Sequence, residues 1–330
     1  MKRIGAVILV FSLLLPALPG CGRADEPGDD RISIVCTVFP QYDWVLRILG
    51  DRADNFDVIL LLNNRFDMHN YQTTFDNVIK ISSCDLFIYI GGESDIWVDG
   101  ALKEAINDEM IVINLLDTLG AAARAEETVE GAGEDDHGVG YSEGDHGQES
   151  EIEYDEHVWL SLRNAQIFCR SIAGAISSLD PENAGEYNSA VVAYIDELSE
   201  LDEEYIKTVS EAPVRTLLFG DRFPFRYFVE DYSIDYFAAF PGCSTETEAS
   251  LETIVFLAKK IDELDLKNIV VTESADQSIA MSIIDNTMRK NQQILVLNAM
   301  QSVTSSDVQN GMTYLSVMAD NLSVLKTALS

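Results

Sequence analysis

The chain has 330 residues, with 56 acidic against 22 basic side chains and a formal net charge of −34 at pH 7. So anionic a surface argues against nucleic acid and anionic lipid as ligands. It fits a cationic partner, or simply solubility outside the cell, and the length suits two α/β lobes.

The N-terminus "MKRIGAVILVFSLLLPALPGCG" joins two early positive charges to an apolar run and then to small residues before a cysteine. The run is too short and too near the start for an ordinary membrane span, and reads as a secretory signal peptide. Leu18-Pro19-Gly20-Cys21 resembles a bacterial lipobox, in which the cysteine is lipidated and becomes the first mature residue. Loss of residues 1–20 removes Lys2 and Arg3 and takes the net charge from −34 to −36. "GRADEPGDDR" then reads as a solvated tether. The remaining cysteines, Cys36, Cys84, Cys169 and Cys243, show no CxxC spacing, so a thiolate zinc site is not expected. Cys36, Cys84 and Cys169 sit among apolar neighbours and read as buried free thiols.

Beyond the tether, strands and helices alternate. "RISIVCTVF" reads as a strand, "QYDWVLRILGD" as a helix, and "NFDVILLL" as a strand followed by a loop carrying His69. Then come the helix "TFDNVIKISSC", the strand "DLFIYIGG", the helix "WVDGALKEAI" and the strand "MIVINLLD". The second half repeats the pattern: strands "VRTLLFGD", "IDYFAAFPG", "NIVVTES" and "QILVLNA" alternate with the helices "FRYFVEDY", "ASLETIVFLAKKIDEL", "SIAMSIIDNTMRK" and, last, "GMTYLSVMADNLSVLKTAL". Continuous apolar strands separated by helices imply parallel sheets covered on both faces. Between the halves, residues 121–153 are acidic and low in complexity, and read as a mobile loop. Residues 181–212 carry helical periodicity long enough to join two lobes. The expected organisation is a leader (1–20), a tether (21–30), an N-terminal lobe (31–180), a connecting helix (181–212) and a C-terminal lobe (213–330).

Histidine is scarce, with four in the chain. His137 and His146 lie in the acidic segment; His69 and His157 are each flanked by carboxylates and aromatics. A lone loop histidine is most often solvated or hydrogen-bonded, so position has to argue for more. Ligands of open α/β sheets bind beyond the carboxyl ends of the strands. The residues expected there are His69, Asp221, Glu273, and Asn298 with Gln301, while His157 opens the helix after the acidic loop. Two imidazoles with one or two oxygen ligands suit Zn2+ or Mn2+. Asp221 and Glu273 could equally cap helices or pair with arginines.

The stretches "DMHNYQTT", "CDLFIYIGGESDIWV", "DEHVWLSLRNA", "FGDRFPFRYFVEDY", "GCSTETEASLETI" and "TYLSVMADNLSVL" together resemble the substrate-binding lipoproteins of bacterial zinc or manganese ABC importers, the cluster A-I type. The resemblance implies two α/β lobes, each with a mostly parallel sheet, joined by a rigid helix, with the metal in the interlobe cleft. It implies a monomer on the outer face of the membrane, lipid-anchored at Cys21, that captures Zn2+ (alternatively Mn2+) and delivers it to a permease. His69 and His157 fall on the family's first two metal ligands. The third place, a histidine or glutamate ahead of the aromatic pair Phe225 and Tyr227, holds Arg222 in strict register. Asp221, one residue earlier, is the expected substitute. In the fourth place "LNAMQSVT" offers Gln301, with Glu273 as the alternative.

Two other classes compete. A secreted zinc hydrolase could use His69, His157 and Asp221 as ligands and Glu273 as base, but the chain has no HExxH pair and no serine elbow, so no enzyme is expected. A surface adhesin is the other reading.

Overall fold

The computed structural model describes residues 31–62, 68–127, 129, 153–244 and 248–330. The expected signal peptide, Cys21, the tether, His137, His146 and most of the acidic segment lie outside these residues. Among the described residues no helix is long and apolar enough to cross a membrane.

The first lobe runs β1 (Ile32–Cys36), α1 (Phe39–Leu49), β2 (Phe56–Leu60), α2 (Phe75–Ser83), β3 (Leu86–Tyr89), α3 (Val98–Lys103), β4 (Ile111–Asn114) and α4 (Leu115–Leu119). Two long helices follow, α5 (Leu162–Leu179) and α6 (Ala184–Glu211). The second lobe runs β5 (Thr216–Phe223), α7 (Arg226–Tyr232), β6 (Asp235–Pro241), α8 (Leu251–Leu264), β7 (Asn268–Thr272), α9 (Ser278–Asn286), β8 (Gln293–Leu297), α10 (Ser305–Gln309) and α11 (Tyr314–Ala328).

Each lobe holds a four-stranded sheet, ordered β2-β1-β3-β4 in the first and β6-β5-β7-β8 in the second, with every pairing parallel. Both sheets therefore reverse their winding beside their first strand, at β1/β3 and at β5/β7. Beyond the carboxyl ends of the strands at such a point, open sheets leave a crevice. β7 is buried along its whole length, as a strand covered on both faces must be.

α6 follows a 3-10 turn at Pro181–Asn183, a start that suits proline because its missing N–H is not needed there. Its 28 residues span about 42 Å at 1.5 Å per residue. Tyr187, Val191, Tyr194, Leu198, Leu201, Tyr205 and Val209 recur at helical spacing and are buried. Near its start Tyr187 meets Phe56 of the first lobe edge-on at 6.2 Å. Near its end Tyr205 stacks on Tyr232 of α7 and donates to the Met318 carbonyl of α11 at 2.6 Å. One apolar cluster accordingly runs from Ile34 in β1 to Leu325 in α11. Further ties cross between the lobes: Tyr314 of α11 receives its backbone acceptor from Asp43 of α1 at 3.0 Å and packs edge-on against Trp44 at 5.2 Å.

Several boundaries differ from the sequence reading. "MIVINLLD" is a strand only to Asn114; the Asn114 side chain accepts the Asp117 amide at 3.1 Å, and that cap starts α4. β5 does not end at Asp221 but runs on to Phe223, with a register shift between Phe219 and Arg222. His157 does not open a helix; it precedes a 3-10 turn at Val158–Leu160, and α5 starts only after Ser161, whose hydroxyl accepts the Asn164 amide. The segment expected to be mobile from residue 121 is anchored at its start. Ala125 bridges Tyr154, the Arg124 amide donates to Tyr227 Oη at 3.0 Å, and Arg124 pairs with Glu230. Cys36, Cys84 and Cys169 are buried free thiols, as read from their neighbours, and Cys243 is a half-buried free thiol.

Candidate metal centre

The "YDEHVWL" segment builds the centre of the site. Asp155 Oδ1 accepts both the His157 backbone amide, at 2.9 Å, and the His157 ring at Nδ1, at 3.1 Å. A carboxylate can only accept, so the ring proton resides on Nδ1 and Nε2 carries a lone pair. Trp159 fixes the segment: its indole N–H donates to the Ala299 carbonyl at 2.9 Å, and its ring lies 5.4 Å from that of His157. Tyr227 Oη adds a hydrogen bond to the Asp155 carbonyl at 3.0 Å. His157 is fully buried.

His69 sits on a 3-10 turn, Met68–Asn70, beyond the carboxyl end of β2. Its Nδ1 lies 2.9 Å from Ser94 Oγ and 3.5 Å from Glu156 Oε2. These neighbours assign the proton to Nδ1 again and turn Nε2 toward His157. The two Nε2 atoms stand 3.3 Å apart. Two nitrogens bound at about 2.0–2.1 Å to one tetrahedral zinc are separated by about 3.3–3.4 Å. Each imidazole thus has a carboxylate behind it and a lone pair in front, the outer-shell arrangement that orients metal-binding histidines.

Glu156 faces the same space. Its Oε1 accepts the Ser94 amide at 2.7 Å, while Oε2 is buried without a hydrogen-bond partner. Gly92, at φ +85°, makes room for this carboxylate; a Cβ there would lie 2.4 Å from Oε1. Burial raises the Glu156 pKa, but His69 and the Ser94 hydroxyl and amide outweigh it and hold the carboxyl below its ordinary value.

The second lobe closes the site with two loops. After β8, Glu273 accepts the backbone amides of Ala299, Gln301 and Ser302. That clamp presents the Gln301 amide, whose Nε2 donates to His157 Nε2 at 2.7 Å. After β6, Gly242 lies against the His157 ring, with a hypothetical Cβ only 3.2 Å from Cε1 and 2.7 Å from the Phe223 carbonyl. The next residue is Cys243. Its Sγ, a ring nitrogen of His69 and a carboxylate oxygen of Glu156 all lie within 4.8 Å of one another. Burial, then the negative charges of Glu126, Asp155 and Glu156, push the thiol well above its ordinary pKa.

The structure therefore brings together His69, His157 and Gln301. It engages the two expected carboxylates elsewhere. Asp221 lies inside β5, and its Oδ2 accepts from the hydroxyl and the amide of Thr272 on the neighbouring β7. Glu273 is occupied by the three amides of the β8 loop. Asn298 serves the same loop, accepting the Met300 amide at 2.8 Å. Arg222 points its guanidinium to the Ser244 carbonyl at 3.4 Å. The sequence reading passed over Glu156, Ser94 and Cys243. A signal for Cys243 existed, since "FPGC" closes a strand as directly as the segments that carry His69 and Gln301. A narrow cavity of about 10 Å³ touches the site through Met68, Trp159, Met300 and Gln301. A larger depression at Thr216, Asp235 and Leu264 lies at the amino ends of β5 and β6, the wrong end of a parallel sheet for a ligand.

Comparison with known proteins is decisive at this point. Residues 34–328 match the family model described as ZnuA, the periplasmic component A of a zinc-uptake complex. The chain belongs to the ZnuA family. It is 29% identical over 329 residues to the zinc-binding lipoprotein AdcA of Streptococcus pneumoniae, covering 99% of this chain and 61% of AdcA. It is 27% identical over 332 residues to the high-affinity zinc uptake system protein ZnuA of Bacillus subtilis, covering 99% of this chain and 98% of that protein. Among solved structures, the Zn(II)-bound ZnuA-like domain of S. pneumoniae AdcA superposes with a TM-score of 0.68 at 25% identity, over 91% of this chain and 99% of that domain. The periplasmic zinc-binding protein TroA of Treponema pallidum shares the fold, with a TM-score of 0.70 at 19% identity over 91% and 99% of the two chains. ZnuA-family architecture, two parallel-sheet lobes linked by a long helix, is what the chain displays.

Proposed function

We propose that this protein is an extracytoplasmic substrate-binding protein that captures Zn2+ and presents it to the permease of an ABC importer. The observation that carries the reading is the 3.3 Å opposition of two carboxylate-backed imidazoles of the first lobe, His69 and His157, at the carboxyl ends of its strands. Gln301 closes the site from the second lobe; turning its amide brings the oxygen to the ion as a further ligand. Imidazole ligands favour Zn2+ over Mn2+, which prefers oxygen donors. The family affiliation points the same way, toward uptake rather than catalysis. A hydrolytic zinc needs a free general base, and Glu273, the base proposed from sequence, is held by three backbone amides.

In this reading the chain works as a monomer. Residues 1–20 are removed and Cys21 carries a lipid that keeps the protein at the outer face of the membrane. Single acyl chains anchor weakly, so at least two are required for stable retention. The core that runs through both lobes and α6 limits hinge closure, and release to the permease proceeds through the loops that bear His69 and Gln301.

The test is metal analysis of chelator-stripped protein after equal exposure to Zn2+ and Mn2+. One tightly held zinc per chain supports the reading; retained manganese, or no metal, overturns it. Cys21→Ser is expected to yield soluble or unprocessed protein, and normal membrane retention of that variant would remove the anchor from the account.

A further inference from the structure

The third ligand is the unresolved part of this centre. Arg222 sends its guanidinium to the Ser244 carbonyl, and a guanidinium offers donors but no lone pair. Asp221 is bound to Thr272, and Glu273 to the loop beyond β8. Two neutral imidazoles and an amide give a divalent ion no charged ligand of its own; the carboxylates of Asp155 and Glu156 stand behind the rings.

Cys243 stands where such a ligand is missing. It follows directly on β6, at the same carboxyl edge of the sheets as the other site residues. Gly242 presses the backbone before it against the His157 ring. Its thiol is in no disulfide and lies within 4.8 Å of ligand atoms of both His69 and Glu156. A second, independent observation concerns Glu156. Its side chain is almost wholly buried, and Oε2, which makes no full hydrogen bond, stands 3.5 Å from His69 Nδ1 beside this group. A buried carboxylate whose neighbours are all neutral donors is costly unless something positive comes near it. Cys36, Cys84 and Cys169 are buried and belong to the apolar clusters of the lobes, so burial type sets Cys243 apart from them.

We propose that Cys243 is a ligand of the zinc bound by His69 and His157, coordinating through its thiolate, with Glu156 supplying the remaining negative charge. The proposal rests on the zinc-capture reading above and deepens it. On binding, the Sγ–H bond breaks, the sulfur lone pair goes to the zinc and the proton goes to solvent. Thiolate and carboxylate together then cancel the 2+ charge. From a 4.8 Å group, contraction to bond distance needs rotation of the Cys243 side chain and a small shift of its loop.

The experiment is zinc K-edge X-ray absorption on the detergent-solubilised full chain, loaded with one equivalent of Zn2+. The expected spectrum contains one sulfur at about 2.3 Å beside nitrogen or oxygen at about 2.0–2.1 Å. Cobalt substitution should give a thiolate-to-metal charge-transfer band that Cys243→Ser abolishes. The same variant should still bind zinc, at least tenfold more weakly, with unchanged circular dichroism. Tight zinc binding by the wild type with nitrogen and oxygen scatterers alone overturns the thiolate while leaving zinc capture standing. Sulfur that persists in Cys243→Ser assigns it to another cysteine and also overturns the proposal. Failure of the wild type to bind zinc sinks the capture reading and this one with it. The wild-type spectrum decides the matter even if the variant folds poorly.

Discussion

His157 Nδ1 lies 3.1 Å from Asp155 Oδ1, and the same oxygen accepts the His157 backbone amide. One carboxylate thus fixes the histidine's tautomer, its ring plane and its backbone. Asp155→Asn keeps an acceptor of the same shape but removes the negative charge behind the ring. Outer-shell changes of this kind typically cost about 10- to 100-fold in metal affinity. Zinc affinity should fall by about tenfold with the thermal midpoint little changed, as read by competition with a chromophoric chelator.

Asp221 makes the opposite prediction. Its carboxylate joins β5 to β7 through Thr272. Asp221→Ala leaves the Thr272 hydroxyl and amide without their acceptor, at a cost of about 1–3 kcal/mol. Urea unfolding should report that loss, while zinc affinity stays within about twofold of the wild type.

These two aspartates show how far the sequence could be read. The parallel-sheet lobes and the long helix were legible because continuous apolar strands and a helical period in α6 leave few alternatives. His69 and His157 were legible because histidine is rare here and both lie near strand ends. Asp221 was not. A carboxylate near a strand end looks the same in sequence whether it meets an ion or a neighbouring threonine, and the extension of β5 to Phe223 depends on pairing with β6. Glu273 was ambiguous for the same reason, since its partners are backbone amides, which carry no residue signature. Glu156 was hidden beside a more conspicuous histidine. Cys243 is brought to His69 by tertiary contact alone, across 174 residues of chain.

Gly242 tests the close approach of the β6 loop. A methyl group there would meet the Phe223 carbonyl at 2.7 Å and the His157 ring at 3.2 Å. Gly242→Ala should lower stability by about 1–3 kcal/mol, the usual cost of forced overpacking. It should also weaken zinc binding, because the displaced loop carries Cys243. Calorimetric unfolding with and without zinc would separate the two effects.

Asp43 gives a pH prediction away from the metal. Burial raises its pKa from 3.8 to about 6, against the opposing hydrogen bond from the Tyr314 amide and the charge of Arg47. The folded state therefore holds this proton to higher pH than the unfolded chain does. Its contribution to stability is most favourable below the unfolded value and declines as pH rises from about 4 through about 6. Asp43→Asn keeps an acceptor for Tyr314 without the charge. The variant should be more stable than the wild type at pH 8, on the order of 2 kcal/mol, and the gap should close near pH 4. Equal midpoints at both pH values would show that the buried carboxyl is not penalised.

The central claim is that His69 and His157 grip one zinc ion between them. Isothermal titration of Zn2+ into chelator-stripped wild type, His69→Ala and His157→Ala tests it most directly. The wild type should show one site per chain and each variant at least a tenfold loss of affinity, with circular dichroism unchanged. Wild-type affinity in either alanine variant, with the fold intact, would contradict it.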